Sequence, residues 1–199
     1  MQNKTKIIVI IGIVVALLAA LLLTLSLRKN SATTSLPQKN QTKVALSEKL
    51  DSPDLGLGIG YPKGFKVAKS DSENFTLIDE SSPAVRVSVQ KIKKQATGAG
   101  SFDIYSLTDS FKKSFLKIDK DCQFFNETKF IKTQNNGVDK FPGMGFEAQY
   151  SISTTKIKYF LAVIQKGNDF YVFSLSSPLA DYPNKIGVMT SMLGTLNLK

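Results

Sequence analysis

Ala84-Val85-Arg86-Val87-Ser88-Val89-Gln90-Lys91-Ile92-Lys93 places Val85, Val87 and Val89 on one side of an extended chain and Arg86, Ser88 and Gln90 on the other. That is the period of a half-buried β-strand. Further on the period changes. Ile104, Leu107, Phe111, Phe115 and Ile118 recur three or four apart, so Asp103 to Ile118 predicts a helix with one apolar face. Such a face needs a sheet to cover, and these two stretches together set the fold class.

Upstream, Phe65 to Lys69 and Asn74 to Asp79 read as strands, with Asp79 to Pro83 as the turn into the strand at Ala84. Leu55-Gly56-Leu57-Gly58-Ile59-Gly60 has the glycine density of a phosphate loop. However, Tyr61-Pro62-Lys63-Gly64 follows where that loop needs a helix, so an opening strand into a tight turn is predicted. Downstream, Gln123 to Lys132 returns to strand and ends in an Asn135-Asn136-Gly137 turn. Gly145 to Ser153 aligns Phe146, Ala148, Tyr150 and Ile152, and Lys156 to Gln165 aligns Ile157, Tyr159, Leu161 and Val163. Gly167-Asn168-Asp169 closes a hairpin into Phe170 to Ser176. A last helix over Tyr182 to Leu193 presents Tyr182, Ile186, Met189 and Leu193, and Leu196 to Leu198 closes the chain as a strand or tail. Strands, helix, strands, helix predicts an α+β fold, an antiparallel sheet with helices packed on it.

Ahead of this domain, Ile7 to Leu27 carries no charge. As a helix this run reaches about 30 Å, the thickness of a bilayer's hydrocarbon core. Its length, and the Arg28-Lys29 that follows it, favour a retained anchor over a cleaved signal. No cysteine follows the run to carry a lipid. The expected organisation is a short tail over 1–6, a transmembrane anchor over 7–27, a flexible linker over 28–53 and a domain over 54–199. Ser, Thr, Asn, Gln and Lys dominate the linker, with a short helical turn admissible around Val44 to Leu50. Lys4 and Lys6 before the span are matched by Arg28, Lys29, Lys39 and Lys43 after it, so charge does not orient it. Short N-terminal anchors generally translocate the chain that follows, which places the domain outside the cytoplasmic membrane.

The net charge of +10 invites a nucleic-acid reading that its distribution opposes. The first 50 residues hold seven Lys or Arg and one acid, against nineteen and fifteen in the remainder. The excess flanks the membrane, and no nucleic-acid partner is expected. The chain has no histidine, which removes Ser-His-Asp and Cys-His mechanisms. Cys122 is the only cysteine, so neither an intrachain disulfide nor a Cys-x-x-Cys metal site can form. Asp119 and Asp121 lack the register of a calcium loop and read as solvated acids beyond the helix. No catalytic residue, metal or cofactor is expected.

Tyr61-Pro62-Lys63-Gly64-Phe65 near the domain start and Met192-Leu193-Gly194-Thr195-Leu196 at its end complete a pattern with the element order. Over about residues 55 to 199 the chain resembles the PsbP-like superfamily, which includes nuclear-import proteins that bind the GTPase Ran. Phe65 stands where many relatives carry Trp. The resemblance implies an α-β-α sandwich acting without catalysis at a protein surface.

Two sets of residues are candidates for that surface. Phe141-Pro142-Gly143-Met144-Gly145 reads as an apolar loop tip with glycine hinges, so Phe141 and Met144 are candidate partner contacts, with Phe124 and Tyr171 as further groove-lining aromatics. Lys91, Lys93 and Lys94 at a strand end, with Lys112, Lys113 and Lys117 on the following helix, form a basic set suited to anionic lipid or an acidic partner. The primary expectation is a single-pass membrane protein whose extracytoplasmic domain docks to another membrane or envelope protein. The alternative is a carrier or sensor of a small apolar ligand or lipid between helix and sheet.

Overall fold

The computed structural model describes residues 44–94, 103–134 and 137–199. The expected tail, the anchor and most of the linker lie outside them, as do residues 95–102 and Asn135 and Asn136. Among the described residues no helix is long and apolar enough to cross a membrane.

Among the described residues ten strands and two helices follow in order: β1 (Glu48–Ser52), β2 (Leu57–Tyr61), β3 (Phe65–Ser70), β4 (Asn74–Asp79), β5 (Arg86–Lys93), α1 (Ile104–Ile118), β6 (Gln123–Gln134), β7 (Asp139–Ile152), β8 (Thr155–Lys166), β9 (Asp169–Pro178), α2 (Tyr182–Thr195) and β10 (Asn197–Leu198). Seven strands form one sheet in the order β3-β4-β5-β9-β8-β7-β6, antiparallel throughout. The two meanders expected from the sequence are therefore joined edge to edge by β5 and β9, with α1 as the crossover between them.

The chain enters the fold earlier than its composition suggests. Glu48 to Ser52 lies in the stretch read as linker, yet it forms β1 and pairs with β2, from Glu48 opposite Tyr61 to Ser52 opposite Leu57. The admitted helical turn near Val44 to Leu50 gives way to this strand. The reason is tertiary: β2 pairs with β1 on one edge and with the C-terminal β10 on the other, making a separate three-stranded sheet. The Gly-rich opening stretch is strand, as expected, with Leu57 and Ile59 buried. Gly60 donates its N–H to the Thr195 hydroxyl at 2.9 Å, so the residue just before the Tyr61–Phe65 motif is tied to the Met192–Leu196 motif.

The core lies on both faces of the large sheet. On one, Phe75, Leu77, Val87, Val89, Phe173 and Leu175 pack with Val188, Met189 and Met192 of α2 and with Leu57 and Leu198 of the small sheet. On the other, Ile104, Leu107, Phe111, Phe115 and Ile118 of α1 cover Met144, Phe146, Ala148, Leu161 and Val163. Asp103 caps α1, accepting from the Ser106 N–H at 2.8 Å, and the Ser106 hydroxyl accepts in turn from the Asp103 N–H at 2.9 Å. The buried stripe of α2 turns from the predicted one: Val188 and Met192 are buried while Ile186 and Leu193 are partly exposed, because the small sheet approaches it from the side.

Asp119 and Asp121 are buried, not solvated. Asp119 accepts the Asp121 N–H at 2.9 Å through Oδ1 and the Ser151 N–H at 3.0 Å through Oδ2. It thereby fastens the end of α1 to β7, a role that long-range contact alone reveals.

Candidate functional site: a polar groove beside helix α1

A helix with its side chains is about 10 Å wide, whereas strands stand about 4.8 Å apart, so one helix covers roughly two strands. α1 packs on β7 and β8. The strands beyond, β9, β5 and β4, meet it with a different composition. Asn74, Thr76, Arg86, Ser88, Gln90, Ser174 and Ser176 all lie on this side of the sheet, while their neighbours Phe75, Leu77, Val87, Val89, Phe173 and Leu175 fill the opposite face. Between this polar floor and α1 runs a groove of about 500 Å³. Its apolar wall is Phe111, Phe115, Tyr150, Ile157, Tyr159 and Val172.

Cross-strand register orders the floor in rows. Arg86 stands opposite Ser176, and Ser176 opposite Tyr159; Thr76 stands opposite Ser88, and Ser88 opposite Ser174. The Thr76 and Ser88 hydroxyls are 3.1 Å apart. Tyr150 and Tyr159 line the groove together with Ser174 and Ser176. Burial raises both phenols, that of Tyr159 to about 12, so each stays a neutral donor and acceptor at physiological pH.

The lining contains two cations, Lys69 and Arg86, and no Asp or Glu. Lys69 is matched by Asp71 at 2.9 Å, and this bond leads the causes that hold the Asp71 carboxyl down at about 2. Arg86 is exposed and makes no ion pair among the described residues. The lining offers hydroxyls, amides, a guanidinium and aromatic faces, which is equipment for binding. It holds no carboxylate, thiol or imidazole to move a proton. Among the described residues no cluster of ligating side chains could hold a metal ion.

The residues predicted from sequence fall elsewhere. Phe141 to Gly145 is not a loop tip: it lies within β7, with Phe141 opposite Lys132, Gly143 opposite both Phe130 and Ile164, and Met144 opposite Lys129 and Val163. Gly143 is there because the Phe130 ring lies across it and occupies the space a Cβ would need. Met144 is buried under α1, and Phe141 is partly buried against the opposite core, so adjacent parity sends them to different faces. Tyr171 is buried, and Phe124 stacks edge-on with Phe115 and Phe146 in the α1 core.

The basic set is likewise divided. Lys91 has the parity of Val89 and turns to the α2 side, pairing with Asp169 at 3.1 Å over the Tyr171 ring. Lys93 and Lys94 are exposed at the end of β5, and the Lys94 N–H donates to the Asn168 carbonyl at 2.7 Å. Lys112, on α1, pairs with Glu127 above the Phe146 ring, while Lys113 and Lys117 face solvent. The sheet thus stands between Lys91 and Lys112. The groove residues left a signal in the sequence, the polar positions Arg86, Ser88 and Gln90 of the deciding strand. A single strand does not reveal that its polar side faces a helix instead of open solvent.

No protein-family model matches the chain, and no curated protein sequence matches it. Solved structures do resemble it. One is a Bacteroides thetaiotaomicron protein, with TM-score 0.54 and 11% identity over 78% of this chain and 49% of that one, so this chain spans about half its length. Another is the cyanobacterial PsbP protein CyanoP of Synechocystis, with TM-score 0.53 and 12% identity over 82% of this chain and 99% of that one. A third is the Ran-binding protein Mog1p of Saccharomyces cerevisiae, with TM-score 0.53 and 9% identity over 77% and 96% of the two chains. At these identities the likeness establishes the fold: this chain has the antiparallel-sheet and helix architecture found in PsbP and Mog1p.

Proposed function

We propose that this is a single-pass membrane protein whose domain, held outside the cytoplasmic membrane by Ile7 to Leu27, serves without catalysis as a docking module for another membrane or envelope protein. The observation that carries the docking reading is an apolar patch on the β6–β7 hairpin. Ile131 is 58% exposed and Val138 80% exposed. Pro142, opposite Ile131 in register, is exposed beside it. Lys129 precedes Ile131 along β6 at one end, Lys140 stands between Pro142 and Val138, and Lys129 lies 4.6 Å from the ring of Tyr105, itself 48% exposed. Exposed aliphatic and aromatic side chains within a basic rim suit a partner surface that is apolar at its centre and acidic at its edge. The Ran-binding activity of Mog1p is in keeping with a protein partner for this fold.

The test is a photo-cross-linking residue at position 138 of the full-length protein in its own cells, combined with protease treatment of intact spheroplasts. A discrete adduct with a membrane or envelope protein, lost in Ile131→Glu, and digestion of a C-terminal tag without lysis are expected. Recovery of the protein without any adduct, or protection of the tag until lysis, overturns the reading. A second reading, the ligand carrier or sensor, is favoured by the groove between α1 and the sheet, whose volume lies in the range of small-molecule sites.

A further inference from the structure

We infer that the groove beside α1 is a binding site for a small aryl carboxylate, an assignment that rests on the ligand-binding reading and names its chemical class. The argument begins with charge. Every titratable side chain lining the groove is a cation or a phenol, and the burial that raises Tyr150 and Tyr159 keeps those phenols neutral. Lys69 has its carboxylate in Asp71. The Arg86 guanidinium has none among the described residues, and it is the only arginine there. A guanidinium presents a planar fork of donors that matches a carboxylate in two-point contact.

Neighbouring donors converge on the same place. Ser176 stands directly across from Arg86 on β9, and Ser88 follows two residues along β5 on the same face. Directly opposed residues in an antiparallel pair have Cβ atoms about 5 Å apart, so one carboxylate can take the Arg86 fork and a serine hydroxyl together. Tyr159 of β8 stands directly across from Ser176 on the other side, which joins the anion subsite to the aromatic wall.

The wall decides the body of the ligand. Phe111, Phe115, Tyr150 and Tyr159 line it, with Val172 on β9 opposite Gln90. Rings in this arrangement receive another ring edge-on or offset, a gain beyond simple area burial. An unbranched alkyl chain would forgo that contact, and a cation would meet the charge of Arg86, unpaired among the described residues. A carboxylate at the Arg86 end with an aryl group against α1 uses the guanidinium, the serine hydroxyls and the aromatic wall together.

The experiment is fluorine-observed NMR of 3-(4-fluorophenyl)propionate with the full-length protein in a non-ionic detergent, beside the uncharged 3-(4-fluorophenyl)propan-1-ol. Arg86→Gln keeps side-chain length and hydrogen bonding while removing the charge. Ser88→Phe fills the floor of the groove. The carboxylate is expected to bind, at least about tenfold more tightly than the alcohol, with Arg86→Gln weakening it about tenfold and Ser88→Phe abolishing it. Unchanged thermal melting of Arg86→Gln without probe shows that the loss is local. Equal binding of acid and alcohol, both lost in Ser88→Phe, overturns the carboxylate assignment while the groove remains a ligand site. Failure of both probes to bind overturns the assignment and the ligand reading together.

Discussion

The two faces of the seven-stranded sheet are built from the same strands and finished differently. Toward α2, a helix and a three-stranded sheet together close the face over an apolar core that runs from Phe75 on β4 to Phe160 and Ile164 on β8. Toward α1, one helix of 15 residues closes β7 and β8 and stops. Where it stops, the strand residues change from Phe, Leu and Val to Ser, Thr, Asn and Gln. The lesson is that coverage and composition agree strand by strand. The closed face holds the molecule together and the part-open face leaves room for a ligand.

The largest expected effect lies on the closed face. Phe173→Ala removes a fully buried ring between β5 and β8 and should cost about 3–5 kcal/mol in chemical denaturation, because the cavity it leaves cannot collapse onto a sheet. A cost near zero would break the comparison.

Asp119→Ala tests the join between α1 and the sheet. It strips the acceptor from the Asp121 and Ser151 N–H groups and should cost about 1–3 kcal/mol, read by the same measurement.

A third effect is pH-dependent and again belongs to the closed face. Asp79 is buried, and burial alone would raise its carboxyl. Lys185 of α2, at 2.5 Å, and the Ser81 hydroxyl and N–H outweigh that and hold it below 3.8. A carboxylate whose value is lower folded than unfolded contributes stability that is complete above the unfolded value and disappears as pH falls through the folded one. Wild-type stability should therefore decline from about pH 4 downward, and Asp79→Asn should show a flatter decline in an acid series of urea melts. Parallel curves would remove Asp79 from the acid response.

Gln90→Ala, on the groove floor, should change stability by no more than about 0.5 kcal/mol, since its side chain fills no apolar core. A loss comparable to that of Phe173→Ala would show that the groove is part of the core. The smallest effect is expected at Cys122 under the covered part of the α1 face. Burial and the neighbouring Asp119 charge push its thiol up to about 12, so iodoacetamide should leave the native protein unlabelled and label it fully in denaturant.

Much of the architecture is legible in the sequence. Period-two runs mark most of the strands or their close neighbourhoods, as with Asn74 to Asp79, and the spacing of Ile104, Leu107, Phe111, Phe115 and Ile118 gives α1 its buried face. The features that sequence reasoning misreads share one cause. Glu48 to Ser52 is polar and looks like linker because its partner β2 is supplied from outside the segment. Phe141 to Gly145 carries turn residues, yet β6 and β8 hold it straight and Gly143 yields its space to the Phe130 ring. Asp119 looks solvated because its hydrogen-bond donor Ser151 lies 32 residues away.

The sequence by itself determined most of the strands, both helices and the apolar face of α1, and that the chain lacks the histidine and paired cysteines of common catalytic and metal sites. Those properties are local, fixed by side-chain periodicity and residue type. Only the tertiary structure decided that β5 joins β9, that Lys91 and Lys112 stand on opposite sides of the sheet, and that Arg86, Ser88, Ser174 and Ser176 face an aromatic helix across a groove. Strand pairing and helix placement couple residues far apart in the chain, and no single segment contains the partner that sets its role.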